Sequence, residues 1–271
     1  SIFEGIRAYW NSKNLYVFRL KDHVKRFRNS GKFYNIKLNF SDRQIENAVI
    51  DLCKKNKIRK SCYIRPFYFV GQYGINFHVT QKAPTHTAIF AFPFGDLFNK
   101  SGITATISKW RKFSDMSTPT QAKMGGNYLN SILATQDAKQ RGFDEAILLD
   151  QSGNVSEAPG ENIFLVKNNM LVTPSLSSSA LDGITRRSII TLAKDMKLKI
   201  KTQKVSKKEL KMADEIFLSG TAAEITPVIK IDKKKIGEGK VGNITKLFMD
   251  TYSNIVMNKS ENYSHWLTTV Y

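Results

Sequence analysis

Strand-like and helix-like segments alternate from one end of this chain to the other, and that interleaving is what most narrows its fold. Residues 2–10 and 14–20 are short β-rich runs joined by Asn11-Ser12-Lys13, the pattern of a hairpin. A helix is predicted over residues 21–34, and a second after Ser41, where Ser41-Asp42-Arg43-Gln44 has the form of a capping box. Cys62–Val70 alternates, and a period of two places Tyr63 and Arg65 on one face of a strand and Ile64 on the other. A more continuous apolar run, residues 85–92, ends at Pro93. The pattern then loosens, and residues 95–102 are expected to link a small α/β domain (1–94) to a larger domain (103–271).

In the larger domain, residues 125–141 read as a helix closed by Gly142, and 146–150 as a buried strand followed by the turn Gln151-Ser152-Gly153-Asn154. Residues 163–166 and 170–173, split by Lys167-Asn168-Asn169, suggest a second hairpin. Helices fit residues 184–196 and 207–212, the latter behind a Ser206-Lys207-Lys208-Glu209 capping box. Residues 215–218 read as a strand and 244–257 as a last helix. The expectation is a two-domain α/β (α+β) protein without internal repeats.

Composition bounds the function. With 271 residues, 41% of them hydrophobic, the chain can bury an ordinary core. No apolar run is long enough to cross a bilayer, and Ser1-Ile2-Phe3-Glu4-Gly5 lacks the basic segment and apolar core of a signal peptide, so a soluble cytoplasmic protein is expected. Cys53 and Cys62 have no metal or redox spacing and are expected as reduced, packed residues. His23, His78, His86 and His265 form no i, i+4 pair, so no metal site is expected and the histidines read as ordinary. The formal charge of +19 raises a rival from another class, a basic nucleic-acid-binding module. Its lysines and arginines are scattered, however, with only short clusters such as Lys54-Lys55, Lys207-Lys208 and Lys233-Lys234-Lys235, and no nucleic-acid-binding motif accompanies them. Gly237-Glu238-Gly239-Lys240-Val241-Gly242 has the spacing of a dinucleotide loop but no βαβ setting, and reads as a turn before the last helix.

The chemistry-bearing stretch is Gln121-Ala122-Lys123-Met124-Gly125-Gly126-Asn127-Tyr128-Leu129-Asn130. Lys123 stands directly before backbone that a ligand can approach closely, since glycine has no Cβ. A lysine amine whose pKa is lowered attacks carbonyl carbons. Downstream come Ser156-Glu157-Ala158-Pro159-Gly160-Glu161-Asn162, Ala180-Leu181-Asp182-Gly183-Ile184-Thr185-Arg186 and Ser219-Gly220-Thr221-Ala222-Ala223-Glu224-Ile225. Upstream are Ser1-Ile2-Phe3-Glu4-Gly5-Ile6-Arg7 and Tyr63-Ile64-Arg65-Pro66.

In this order and nearly end to end, these six blocks resemble the fold-type IV pyridoxal-phosphate aminotransferases, and within them the branched-chain amino acid branch. The resemblance implies a small α/β domain and a larger domain with a pseudo-barrel of strands flanked by helices. It implies pyridoxal 5'-phosphate as cofactor, amino acids and 2-oxo acids as partners, and a homodimer or higher homo-oligomer. The implied reaction is transamination between leucine, isoleucine or valine and 2-oxoglutarate. D-amino acid aminotransferase and aminodeoxychorismate lyase are the runners-up within the fold.

The resemblance also implies roles. Lys123 would hold the cofactor covalently and then move the proton of the reaction, with Tyr128 on the phenolic oxygen and Glu157 facing the ring nitrogen. Family register selects Glu157 over Glu161, and Arg26 over its neighbours Lys25 and Arg28 as the phosphate arginine. Gly183, Ile184 and Thr185, opening a helix, would bind phosphate through backbone N–H groups, with Leu181, Gly220 and Thr221 also on the cofactor; Thr185 equally suits a helix cap. Tyr63, Thr221, Ala222 and Ala223 would meet the substrate's α-carboxylate, Arg65 the distal carboxylate of glutamate, and Phe3 an apolar side chain. Phe77 would reach in from a neighbouring subunit. Phe94 and Leu97 depart from the tryptophan and tyrosine often found there, which implies a more apolar pocket. The chain begins at a point internal to the family pattern, so the usual first strands and a tyrosine-bearing segment are expected to be missing.

Overall fold

The computed structural model describes residues 1–75, 77–80 and 82–271. In chain order its elements are β1 (Ile2–Phe3), β2 (Ile6–Trp10), β3 (Leu15–Phe18), α1 (Leu20–Lys32), α2 (Asp42–Lys55), β4 (Cys62–Val70), β5 (Thr85–Pro93), β6 (Ile103–Arg111), α3 (Tyr128–Gln140), β7 (Glu145–Leu149), β8 (Asn162–Lys167), β9 (Met170–Pro174), α4 (Ile184–Asp195), β10 (Ile200–Gln203), α5 (Lys207–Lys211), β11 (Glu215–Gly220), β12 (Glu224–Ile231), β13 (Lys234–Lys235), α6 (Asn243–Val256) and β14 (Leu267–Thr269). They form two compact units: Ser1–Gly95 with Ala122–Gly126 and Ser253–Tyr271, and Asp96–Gln121 with Asn127–Tyr252.

The first unit is a sheet in the order β1-β4-β2-β3-β14, with β5 also on β4. The predicted run over residues 2–10 is broken at Glu4-Gly5: β1 and β2 pair antiparallel with successive parts of β4, Phe3 opposite Phe67 and Ile6 opposite Ile64. The break faces Pro66, which has no N–H to donate, so the ladder there keeps only the Glu4 N–H bond to the Pro66 carbonyl, 2.9 Å. Ile64 faces a core with Val24 and Phe27 of α1 and Ile45, Val49 and Cys53 of α2, residues spaced to lie on one stripe of each helix. Phe27 meets Tyr68 edge-on at 4.8 Å. Both cysteines are free thiols in this core, and the Ser41/Gln44 capping box is formed.

The short segment Ala122–Gly126 belongs to this unit and runs beside β1. Met124 bridges Ile2 antiparallel, the Phe3 N–H donates to the Lys123 carbonyl at 3.1 Å, and the Gly125 N–H donates to the Ser1 carbonyl at 2.8 Å.

The second unit is a sheet in the order β10-β9-β8-β11-β12-β6-β7, with β13 on β12. Its centre (β9-β8-β11-β12) is antiparallel, while β10-β9, β12-β6 and β6-β7 are parallel. The β8–β9 hairpin turns through Asn168 (φ 49°) and Asn169 (φ 55°), the left-handed pair that a two-residue hairpin turn demands. Ile147, Leu149, Ile163, Leu165, Ile216 and Leu218 share one core. Ala134 and Ala138 seat α3 against Ala146 and Leu148, and Phe164, Phe217 and Phe248 stack in series. Residues 125–127 form a tight 3₁₀ turn, so α3 starts at Tyr128, later than the sequence suggests. The short clusters of lysine at residues 54–55, 207–208 and 233–235 are all exposed. Among the described residues, no helix is long and apolar enough to cross a membrane.

Candidate active site

Lys123 lies in the first unit, half-buried, its backbone fixed by the β1 contacts and by its N–H donating to the Ser30 hydroxyl at 2.9 Å. Burial and the Arg26 guanidinium disfavour its charged form and lower the amine to about 8, against partial compensation from Glu4. The structure separates the three candidate phosphate residues of α1, Lys25, Arg26 and Arg28. Lys25 is exposed, Arg28 donates to Asp42, and Arg26 is bidentate on the fully buried Glu4 carboxylate, Nε to Oε1 at 2.6 Å and Nη2 to Oε2 at 2.9 Å. His23, expected to be ordinary, places Nδ1 2.7 Å from the same Glu4 Oε2. Burial alone would raise the Glu4 carboxyl, but Arg26 and the His23 hydrogen bond outweigh it and hold Glu4 well below the usual carboxylate range.

On the sheet face opposite Ile64, the Arg65 guanidinium sits 4.5 Å from the Phe3 ring centroid and donates to the Tyr63 hydroxyl at 2.9 Å. The Lys123 ammonium lies 4.8 Å from the same Phe3 ring. Gly5 is required here, because a Cβ would fall 1.9 Å from the Tyr63 hydroxyl oxygen. Phe3, Tyr63, Arg65, Arg26 and Lys123 are thus brought together within one unit. Phe94 packs on Tyr63 at 5.5 Å between ring centroids, whereas Leu97 belongs to the other unit and is exposed. Phe77, in the first unit, is fully exposed.

In the second unit, Glu157 is buried on an extended segment pinned to β7, the Leu148 N–H donating to the Glu157 carbonyl and the Ser156 N–H to the Leu148 carbonyl. Its carboxylate is held from three sides: Lys112 Nζ at 2.6 Å from Oε1, and Asn162 Nδ2 at 3.0 Å and the Leu181 N–H at 2.9 Å on Oε2. Glu161 instead accepts from the Gly160 N–H at 3.2 Å. Asn162 also donates to the Leu181 carbonyl at 2.8 Å, which ties Glu157 to the turn that opens α4. Gln121 straps the same turn, accepting from the Asp182 N–H and donating to the Ala180 carbonyl.

Gly183, and not Thr185, takes the cap position of α4, with no side-chain capping hydrogen bond; Ile184 and Thr185 follow, both buried. Glycine is needed there, since a Cβ would lie 2.0 Å from Asn162 Oδ1. Gly220 ends β11 and Glu224 opens β12 in antiparallel register, so Thr221, Ala222 and Ala223 form a tight turn and no helix. Tyr128, half-buried at the start of α3, is close enough to act on the charge of Lys112. Glu4, Lys112, Asn162 and Gln121 are functional neighbours that sequence reasoning did not assign. Glu4, Asn162 and Gln121 stood inside the quoted blocks; Lys112 carried no signal.

A lysine of lowered pKa beside an arginine in the first unit, and in the second a buried carboxylate tied to a helix N-terminus with no side-chain cap, each suit a phosphorylated carbonyl cofactor. Residues 1–231 match the family model for amino-transferase class IV. A probable branched-chain-amino-acid aminotransferase of Aquifex aeolicus (strain VF5) is 41% identical over 275 residues, covering 100% of this chain and 88% of the relative. The crystal structure of a branched-chain aminotransferase from Thermoproteus uzoniensis with norvaline has a TM-score of 0.97 at 41% identity, covering 100% of this chain and 90% of the other. A branched-chain amino acid aminotransferase from Thermobaculum terrenum, in its PLP-bound holo form, has a TM-score of 0.94 at 35% identity, covering 100% and 89%. The chain belongs to the class IV aminotransferase family.

That family uses pyridoxal 5'-phosphate, and the residues present suit the group. The head of α4, with no side-chain capping hydrogen bond and at a glycine where any Cβ would collide, matches a phosphate. The buried anion of Glu157 matches a protonated ring nitrogen, and the lowered amine of Lys123 matches an aldehyde.

Proposed function

We propose that this protein exchanges an amino group between leucine, isoleucine or valine and 2-oxoglutarate, in two ping-pong half-reactions with pyridoxal 5'-phosphate. The observation that carries the reading is Lys123, a half-buried amine lowered to about 8 beside Arg26 in a chain that matches class IV aminotransferases over residues 1–231. When bound, the cofactor supplies an electron sink for the carbanion left as Cα loses its proton.

The chain's own residues do the rest. Lys123 would hold the cofactor through its amine and, when free, would serve as the base and then the acid for the substrate's Cα proton. Tyr128 hydrogen-bonds the phenolic oxygen, and Glu157 keeps the ring nitrogen protonated. In this reading the phosphate would be held by Arg26 of the first unit and by Gly183, Ile184, Thr185, Gly220 and Thr221 of the second, with Leu181 also on the cofactor. Likewise, Tyr63 of the first unit and Thr221, Ala222 and Ala223 of the second would take the α-carboxylate, Phe3 would line the apolar part, and Arg65 would accept the distal carboxylate of glutamate. The Tyr63–Arg65 hydrogen bond and the Arg65–Phe3 contact support a pocket that serves both side-chain types. The working form in this reading is a cytoplasmic homodimer in which Phe77 reaches the neighbouring subunit.

The test is the visible spectrum of the cofactor-loaded protein, wild type and Lys123→Ala. A band that requires Lys123, is lost on adding L-leucine and returns with 2-oxoglutarate is expected. A band independent of Lys123, or indifferent to leucine, overturns the reading.

A further inference from the structure

Lys112 plays no part in the reading above, yet it lies directly against Glu157. Its ammonium lies 2.6 Å from Glu157 Oε1, and both side chains are almost wholly buried, 11% and 6% exposed. An ammonium in such a place is costly unless paired. Burial alone would lower the Lys112 amine, but Glu157, and more weakly Tyr128, reverse the effect and raise it. The lysine is therefore a fixed positive charge. Its backbone is fixed as well: the Lys112 N–H donates to the Leu149 carbonyl at 2.8 Å, and its carbonyl accepts from Gln151 Nε2 at 2.8 Å.

A carboxylate offers about four lone-pair positions. Within the second unit, Oε2 of Glu157 accepts from Asn162 and from the Leu181 N–H, and Oε1 accepts from Lys112. The position left is on Oε1, the oxygen that already carries the lysine. Any further donor to Glu157 must share that oxygen with a cation.

We infer that Lys112 is a positioning residue that acts through Glu157: it aims Oε1, neutralises part of its charge, and so limits how strongly Glu157 binds the protonated ring nitrogen of the cofactor. The inference rests on the reading of Glu157 as the partner of that nitrogen. A ring bound too tightly to an unshared carboxylate would make Glu157 depend on the cofactor for its counter-ion, whereas Lys112 supplies one permanently.

The experiment compares the affinity of the apoprotein for pyridoxamine 5'-phosphate with that for its analogue carrying carbon in place of the ring nitrogen. The amine form keeps Lys123 chemistry out of the measurement, and the ratio of the two dissociation constants cancels any general loosening of the site. Wild type is expected to favour the nitrogen form. Lys112→Met should raise that preference by about tenfold or more, because the ring nitrogen becomes the only cation in direct contact with Glu157, the buried Arg186 guanidinium acting on it only through space; Lys112→Gln is read in the same way if the methionine variant does not fold. Lys112→Arg, which restores the charge, should return the wild-type ratio, and Glu157→Gln should collapse it. A clear wild-type preference that Lys112→Met and Lys112→Gln leave unchanged overturns the inference while sparing the role of Glu157. A wild-type ratio near one removes Glu157 from the ring nitrogen and overturns both.

Discussion

The lowered amine of Lys123 predicts a stability effect that can be measured without cofactor or substrate. In the unfolded chain this lysine keeps its proton up to its ordinary value of 10.5, whereas in the folded apoprotein it releases the proton near 8. Between those values the unfolded state binds more protons, so this residue makes stability rise with pH, by up to about 1.4 kcal/mol per pH unit. Below pH 8 the full cost of holding the charge remains, at most about 3 kcal/mol and less to the extent that water reaches the half-buried side chain. Lys123→Met removes that cost. Urea unfolding of apoprotein at pH 7, 8, 9 and 10 should therefore find the variant more stable than wild type at pH 7, with the advantage shrinking as pH climbs toward 10. Other lysines titrate in this range too, but they are common to both proteins and cancel in the difference. A difference that stays constant from pH 7 to pH 10 would refute the reasoning, because packing changes do not titrate.

Glu4→Gln should destabilise the apoprotein by about 3 kcal/mol or more, since Arg26 and His23 lose the buried anion they share. Because Glu4 is depressed, its contribution is present above its ordinary 4.5 and lost as pH falls below it, so wild type and variant should converge in acid urea melts. Gly183→Ala drives a methyl to within 2.0 Å of Asn162 Oδ1 at the head of α4. Fluorescence titration of the apoprotein should find pyridoxal 5'-phosphate binding weakened by about tenfold or more, and unchanged affinity would remove the α4 N-terminus from the phosphate site.

Much of the fold was legible because its signals are local. The capping boxes at Ser41 and Ser206, the asparagine pair of the β8–β9 turn and the alternation of β4 each depend on a few neighbouring residues. What sequence reasoning passed over depends on distant partners. β6 reads ITATISKWR: Ile103, Ala105 and Ile107 alternate with Thr104, Thr106 and Ser108, a weak period-two signal, and β12 and β7 flanking it in parallel complete the strand. β10 is a four-residue edge strand supported by β9, and β14 pairs with β3 from near the far end of the chain. The site divides in the same way. The motif blocks point to Lys123 and Glu157, but the contacts of Glu4 with His23 and Arg26 span 19 and 22 residues, and nothing near Lys112 in sequence announces a partner at Glu157.

The two charge clusters obey one rule with opposite signs. In the first unit the cations, Arg26 and the Lys123 amine, surround one buried carboxylate, Glu4. In the second, the carboxylate of Glu157 is met directly by the buried Lys112 ammonium and, through space, by the buried Arg186 guanidinium. A buried charge without a partner is neutralised by a shifted pKa or dragged toward water. Either outcome would erase the feature the chemistry needs, a fixed anion on one unit and a fixed guanidinium beside a lowered amine on the other. Pairing each with a counter-ion of its own unit lets both persist before any ligand arrives. The cost is weaker attraction for the ligand's charges, and it follows that Glu4 and Lys112 should act in the same direction: removing either strips a functional charge of its resident partner and leaves it more dependent on what binds.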